Sequence, residues 1–254
     1  MWTYILLVNA LIGAALFEFA WAATKRHRHI DEARDSLFPA WRRYDAENWS
    51  RLKLYPVALT LMPMKVLLFV FANIMVAVLN QVILLGLDLD KPIPVHRRKL
   101  TKVVFYIGAW LMALSNFCFP VRKTVNKDYS YWLGPDYRTQ TKKPENYRVP
   151  TYVSNHGSGT DVFLMIAALF ADVSFLAKIE VKSIPFVGKG VIAGEGLFCP
   201  RGGTPEVKEQ TVKLIEERQL EVHEGRSTKT PLIIFPEGST SNGTCVLQFR
   251  RGAF

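Results

Sequence analysis

The sequence predicts an α/β domain preceded by membrane-associated helices. Three observations carry this reading. Apolar residues crowd the first half of the 254-residue chain and charged residues the second. Apolar stretches of bilayer-crossing length come early and are bordered by basic clusters. Beyond Pro150, short apolar runs alternate with amphipathic ones, the pattern of strands and helices in an α/β domain. The length suits one soluble catalytic domain plus membrane segments rather than two separate cores.

From Tyr4 to Ala23 the chain is apolar apart from Asn9 and Glu18, a run of about 20 residues, which is what a helix needs to cross a bilayer. It has no basic n-region and ends with the bulky Phe17, Phe19 and Trp21, so a retained anchor is expected rather than a cleaved signal peptide. The second apolar region, Leu54 to Leu87, is broken early by Pro56, Pro63 and Lys65; a helix is expected near 56–87, cleanest from Val66. The third, 103–121, is just long enough to span, yet Gly108, Ser115 and Asn116 suit it equally to the interface or to docking on the catalytic domain. Residues 1–121 are thus read as the membrane anchor region and 122–254 as the catalytic domain. If both or neither of the later two segments cross, the second half lies on the same side as Lys25 to Arg28, as the positive-inside rule prefers.

The formal net charge of +10 favours anionic surfaces. Lys25, Arg26 and Arg28, then Arg97, Arg98 and Lys99, then Arg122 and Lys123 border the apolar stretches, where basic residues fix topology and attract acidic lipids. With no RNA-binding aromatic signature and no zinc-finger spacing, nucleic acid is not an expected partner. Cys118, Cys199 and Cys245 are odd in number and far apart, which argues against a disulfide framework or a zinc site and for a reducing compartment. The sequons at Asn48 and Asn242 are short enough to arise by chance.

Three blocks carry the chemistry. Tyr152 and Val153 read as strand, Asn155 to Asp161 as a turn, and Val162 to Phe170 as the helix it opens. On a continuous helix His156 and Asp161 point apart, and Gly157 and Gly159 permit the bend that lets them meet. A histidine held by a carboxylate has the tautomer and the stabilised imidazolium that a general base needs when it deprotonates an alcohol. Gly196 to Gly202 reads as a short strand delivering Arg201, whose guanidinium suits a phosphate. Leu232 to Ser241 reads as a buried strand running into a loop, Pro236-Glu237-Gly238-Ser239, whose free N–H groups and hydroxyls suit an anion. Between the last two, Thr204 to Glu224 reads as an amphipathic helix with Val207, Val212, Leu214, Ile215 and Leu220 inward.

In this order the blocks resemble the glycerolipid acyltransferase superfamily, with its N-H-x-x-x-x-D, arginine-bearing and F-P-E-G blocks. The resemblance covers roughly Val149 to Phe254. Lys182 to Gly188, together with Asn242 to Cys245 and Arg250 to Phe254, looks like the lysophosphatidylcholine acyltransferase branch in particular. It implies a mixed sheet flanked by helices, and transfer of a fatty acyl group from acyl-CoA to a lysophospholipid hydroxyl. His156 would be the base, Asp161 its orienting partner, and Arg201 a ligand for the acceptor phosphate. Glu237, Gly238 and Ser239 would belong to the acceptor site, and Lys189 would hold a phosphate of either substrate. No metal or bound cofactor is implied. The family's usual home is the endoplasmic reticulum membrane, and a mitochondrial inner membrane fits the same charge pattern. Pro200 before the arginine and Ser239 in place of threonine depart from the pattern. The family's fourth block, an apolar strand at the acyl-donor site, does not occur before Phe254, so a fragment or an incomplete member is expected. A hydrolase is disfavoured because no G-x-S-x-G elbow occurs. The alternative of another class is a catalytically idle acyltransferase-like structural or lipid-binding subunit of a membrane complex.

Overall fold

The computed structural model describes residues 1–89, 91, 93–123, 125, 127–140, 148–184, 187–200, 202–226 and 229–249. Two long helices, α1 (Trp2–Ala23) and α2 (Arg51–Leu84), form an antiparallel hairpin joined by short helical turns. Both are long and apolar enough to cross a membrane on length and composition. Their contacts explain the two polar residues of the first apolar run. Asn9 Nδ2 donates to the carbonyl oxygen of Leu59 at 2.8 Å, and Glu18 pairs with Arg51 and the Tyr55 hydroxyl. The first contact also explains why α2 runs straight through Pro63, where a broken start near 56 was expected. Proline has no N–H to give the carbonyl four residues back, which is that of Leu59, and Asn9 supplies the missing donor from across the hairpin.

Gly13 sets the spacing of the pair: a Cβ there would stand 2.3 Å from the Ala58 carbonyl oxygen. Gly13→Val is therefore expected to destabilise the protein by about 1–3 kcal/mol through overpacking, read as a lower Tm in detergent. An unchanged Tm would mean that the hairpin does not close this tightly.

The third helix, α3 (Val95–Ser115), starts eight residues before the expected 103 and stops six short of 121. Pro94 precedes it and Phe117, at φ 54°, ends it. The basic cluster lies inside the first turns of this helix, and two of its members are spent on protein contacts. Arg98 is buried, its Nε 2.6 Å from Glu195 Oε1, and Arg97 donates to the Ile83 carbonyl at 2.7 Å. Lys102 pairs with Asp172, which Arg148 also holds at 3.1 Å. Burial raises the Asp172 carboxyl, and these two cations outweigh it, leaving the carboxyl below its ordinary range. The charges thus dock α3 on the α/β part.

Four short strands follow: β1 (Thr151–Val153), β2 (Ser174–Lys178), β3 (Leu197–Cys199) and β4 (Leu232–Ile234). They lie in the order β1-β4-β2-β3. Every described pairing is parallel, with Tyr152 opposite Ile233, Phe175 opposite Ile233 and Ala177 opposite Phe198. A mixed sheet was the expectation; the described strands run one way because each link is a crossover through a helix. These are α4 (Asp161–Ala168), α5 (Val187–Ala193) and α6 (Pro205–His223).

Alternation assigns the sheet faces. Leu232, Ile234, Leu176 and Leu197 pack with Ile215 of α6. Ile233 and Phe175 face the other way, towards α2, α3 and α4. The inward stripe of α6 is Ile215, Arg218 and Val222, whereas Val212, Leu214 and Leu220 are exposed. Arg218 takes the inward place because its guanidinium donates to the carbonyls of Glu195 and Thr230, at 3.0 and 3.3 Å, and burial lowers its pKa. Paired guanidinium bonds tolerate a depth that an inward-facing leucine was expected to fill.

Candidate active site

In parallel sheets, ligand sites lie beyond the carboxyl ends of the strands. β1 and β4 are neighbours, so the loops that leave them emerge side by side. Ser154 N donates to the Ile234 carbonyl at 3.2 Å, extending the pairing one residue past β1. Two residues on stands His156.

The His156 ring is fixed at one edge and on one face. Its Nδ1 lies 3.0 Å from Asp161 Oδ2, and the same oxygen accepts from Gly157 N at 2.8 Å and Ser158 N at 2.9 Å. The bend that the two glycines permit is thus present and closed by the carboxylate itself. A carboxylate only accepts, so Nδ1 carries the proton and Nε2 presents its lone pair; Nε2 has no partner among the described residues. The ring stacks on Phe235, with centroids 4.3 Å apart and planes 19° from parallel. Phe235 in turn lies parallel to Phe175 of β2 at 6.4 Å.

Glu237 ties the loops together. It is 4% exposed, and its two oxygens accept from His156 N and Leu247 N, each at 3.0 Å. Ser241 N donates to the His156 carbonyl at 2.9 Å. Expected at the acceptor site, this carboxylate spends both oxygens on backbone. Gly238 turns the chain at φ 67°, and its N–H donates to the Phe235 carbonyl at 3.0 Å. Ser239 is half-buried and receives a bond from Trp41 Nε1 at 3.4 Å.

Beside this cluster lies an apolar cavity of ≈450 Å³. Its lining includes Val162 and Phe163, which directly follow Asp161, and Phe175, which lies parallel to the Phe235 that stacks on the His156 ring; α2, α3 and α5 close the rest. Phe163 also meets Phe69 of α2 edge-on at 6.4 Å. A volume of this size and lining suits a flexible apolar ligand.

The family model described as Acyltransferase matches residues 138–254. This part of the chain is similar to the glycerolipid acyltransferases. The chain is 36% identical over 118 residues to the lysophospholipid acyltransferase LPEAT1 of Arabidopsis thaliana, covering 45% of this chain and 27% of that one. It is 37% identical over 99 residues to a lyso-ornithine lipid O-acyltransferase of Pseudomonas aeruginosa, covering 39% and 34%. It is 31% identical over 104 residues to a lysophosphatidylcholine acyltransferase of Drosophila melanogaster, covering 40% and 18%. The matches thus span between 18% and 34% of these relatives' own lengths. Among solved structures, the 1-acyl-sn-glycerophosphate acyltransferase PlsC of Thermotoga maritima aligns over 76% of this chain and 67% of its own, at TM-score 0.46 and 19% identity.

Of the site residues expected from sequence, the acyltransferase fold brings His156, Asp161, Glu237, Gly238 and Ser239 together. Lys189 stands on α5 and donates to Gln81 of α2 at 2.9 Å, joining helices rather than loops. Arg201 lies outside the described residues, as do Pro185, Phe186 and 250–254 of the branch-specific segments. One contributor is marked in the sequence as a sequon and as the start of a branch-specific segment, with no role in the site. Asn242 Nδ2 donates to the carbonyls of Pro39 and Arg42, both at 2.8 Å, and its own N–H donates to Ala40 O at 2.7 Å. It clasps the α1–α2 connection over the Glu237 loop. Its position four residues past Gly238 was the available signal; its partners, some 200 residues away, were not.

Proposed function

We propose that the chain transfers a fatty acyl group from acyl-CoA to a lysophospholipid hydroxyl, with His156 as general base. The observation that carries the proposal is the preformed His156–Asp161 pair, its Nε2 open, beside an apolar cavity. The hydroxyl proton passes to Nε2 as the oxygen attacks the thioester carbonyl; the C–S bond breaks, and the leaving thiolate takes the proton back from the imidazolium. Asp161 holds the tautomer and stabilises the charged ring. The acyl chain occupies the cavity, and Arg201 serves the acceptor phosphate. The relatives named for lysophospholipid acceptors support that substrate class. No metal or cofactor enters the scheme, since side chains manage every proton.

Residues 1–121 serve as the membrane-associated part and 122–254 as the catalytic part. Many large apolar side chains of α1 and α2 point outward, among them Leu6, Leu11, Leu67 and Phe71, which suits lipid around them. The α/β part touches the connection that leads into α2, at 39–42, and then α2 itself at its middle, Phe69, and near its C-terminal end, Gln81. A helix of 34 residues is about 51 Å long, against a hydrocarbon core of about 30 Å. An upright crossing would carry those contacts to opposite sides of the bilayer, so the hairpin is better placed along the interface, serving lipids to the histidine from one face. The endoplasmic reticulum is the proposed membrane.

The test is acyl transfer by the purified chain in nanodiscs, from labelled acyl-CoA to a panel of lysophospholipids. Acylated phospholipid as the main product is expected. Free fatty acid in its place would make the protein a hydrolase, and lipid binding without turnover would make it an idle subunit.

A further inference from the structure

One group is at odds with the lining of the cavity beside His156. Asn80 of α2 is 2% exposed, and neither its side-chain oxygen nor its nitrogen has a hydrogen-bond partner among the described residues. Its companions around the cavity include Ala77, Phe105, Ala109, Met112 and Val191, all apolar. An amide buried with donor and acceptor both open is costly. Nothing in the helix asks for it, since leucine is of similar size and a better helix former. Asn73, on the same cavity wall, spends its amide on the Phe69 carbonyl at 2.8 Å; Asn80 does not.

Both polar atoms lie just behind the apolar wall, and a rotation of the amide turns one donor and one acceptor to a ligand group that itself does both, which is a hydroxyl. We propose that the cavity selects an acyl chain carrying a hydroxyl along its length, with Asn80 as the selecting residue. The proposal rests on the acyl-transfer reading for what fills the cavity. The helix fixes the depth. Phe69, whose ring meets Phe163 two residues past Asp161, lies eleven residues before Asn80, about 16 Å along the axis. The hydroxyl therefore belongs in the distal part of the chain, far from the carboxyl carbon that reacts. Sites built to bond a hydroxyl discriminate against the analogue that lacks it, because their own polar groups are then left unpaired.

The test is photolabelling of the full chain in nanodiscs by a diazirine-bearing stearate, competed by stearate and by hydroxystearates with the hydroxyl at successive positions. At least one isomer with a distal hydroxyl is expected to compete on the order of tenfold better than stearate, a single neutral hydrogen bond's worth. In Asn80→Leu the two should compete alike. Asn80→Leu should also melt at a higher temperature, since it removes an unpaired buried amide. The proposal falls if no isomer outcompetes stearate, if the preference survives Asn80→Leu, or if labelling maps away from the cavity. It falls too if Asn80→Leu lowers the Tm, which would give the amide a structural partner such as a buried water. The readout is binding, so a hydroxyl preference without acyl transfer would keep the site and overturn the transfer reading, and transfer without preference would do the reverse.

Discussion

His156→Ala should lower acyl transfer about 10²- to 10⁴-fold, the range for loss of a general base, while the protein still folds. The argument for intact folding is that His156 holds its loop through backbone. Its N–H donates to Glu237 and its carbonyl accepts from Ser241, and both bonds survive truncation of the ring. What alanine removes besides the base is the stacking on Phe235, about 0.5–1.5 kcal/mol for an aromatic pair. A matching drop in Tm is therefore expected alongside the rate loss, too small to account for it. Asp161→Asn should cost less rate, since the amide oxygen still accepts from Gly157 and Ser158 but no longer stabilises a charged ring. If His156→Ala kept most of its transfer activity at full lysophospholipid saturation, Nε2 would not be the base.

The contrast between what was legible in the sequence and what was not follows the range of the interaction. His156 and Asp161 are five residues apart, and the glycines between them announce the bend, so their meeting followed from local geometry. The strands beginning at Thr151 and Leu232 were readable from short apolar runs bounded by turn residues. Errors came where a remote partner reverses a local rule. Pro63 reads as a helix break until Asn9, on another helix, supplies the lost donor. Arg98 reads as an exposed basic residue until Glu195, far along the chain, claims it in the interior. Arg218 reads as an outward charge until two carbonyls from different loops surround it. In each case the sequence gives the side chain's chemistry but not its distant complement, and the complement decides the side on which the residue lies.

Glu237 is where this lesson bears on mechanism. The family resemblance implies a place for its carboxylate at the acceptor site, and in the structure its two oxygens hold the amides of His156 and Leu247. If that is its work, Glu237→Ala strands two part-buried N–H groups at up to about 1–3 kcal/mol each, a large part of a stability of about 5–15 kcal/mol. It should lower Tm sharply and abolish transfer by releasing the His156 loop. Glu237→Gln keeps one acceptor but turns an NH₂ towards an N–H, so it should lose about half as much stability and chiefly kcat, with KM for the lysophospholipid little changed. Were Glu237 instead a contact to the acceptor, Glu237→Gln would leave Tm unchanged and raise KM. Thermal unfolding and steady-state kinetics on the one variant separate the two, because losing the bonds that Glu237 makes to two backbone amides at 3.0 Å registers in Tm, whereas losing a contact to the acceptor registers in KM.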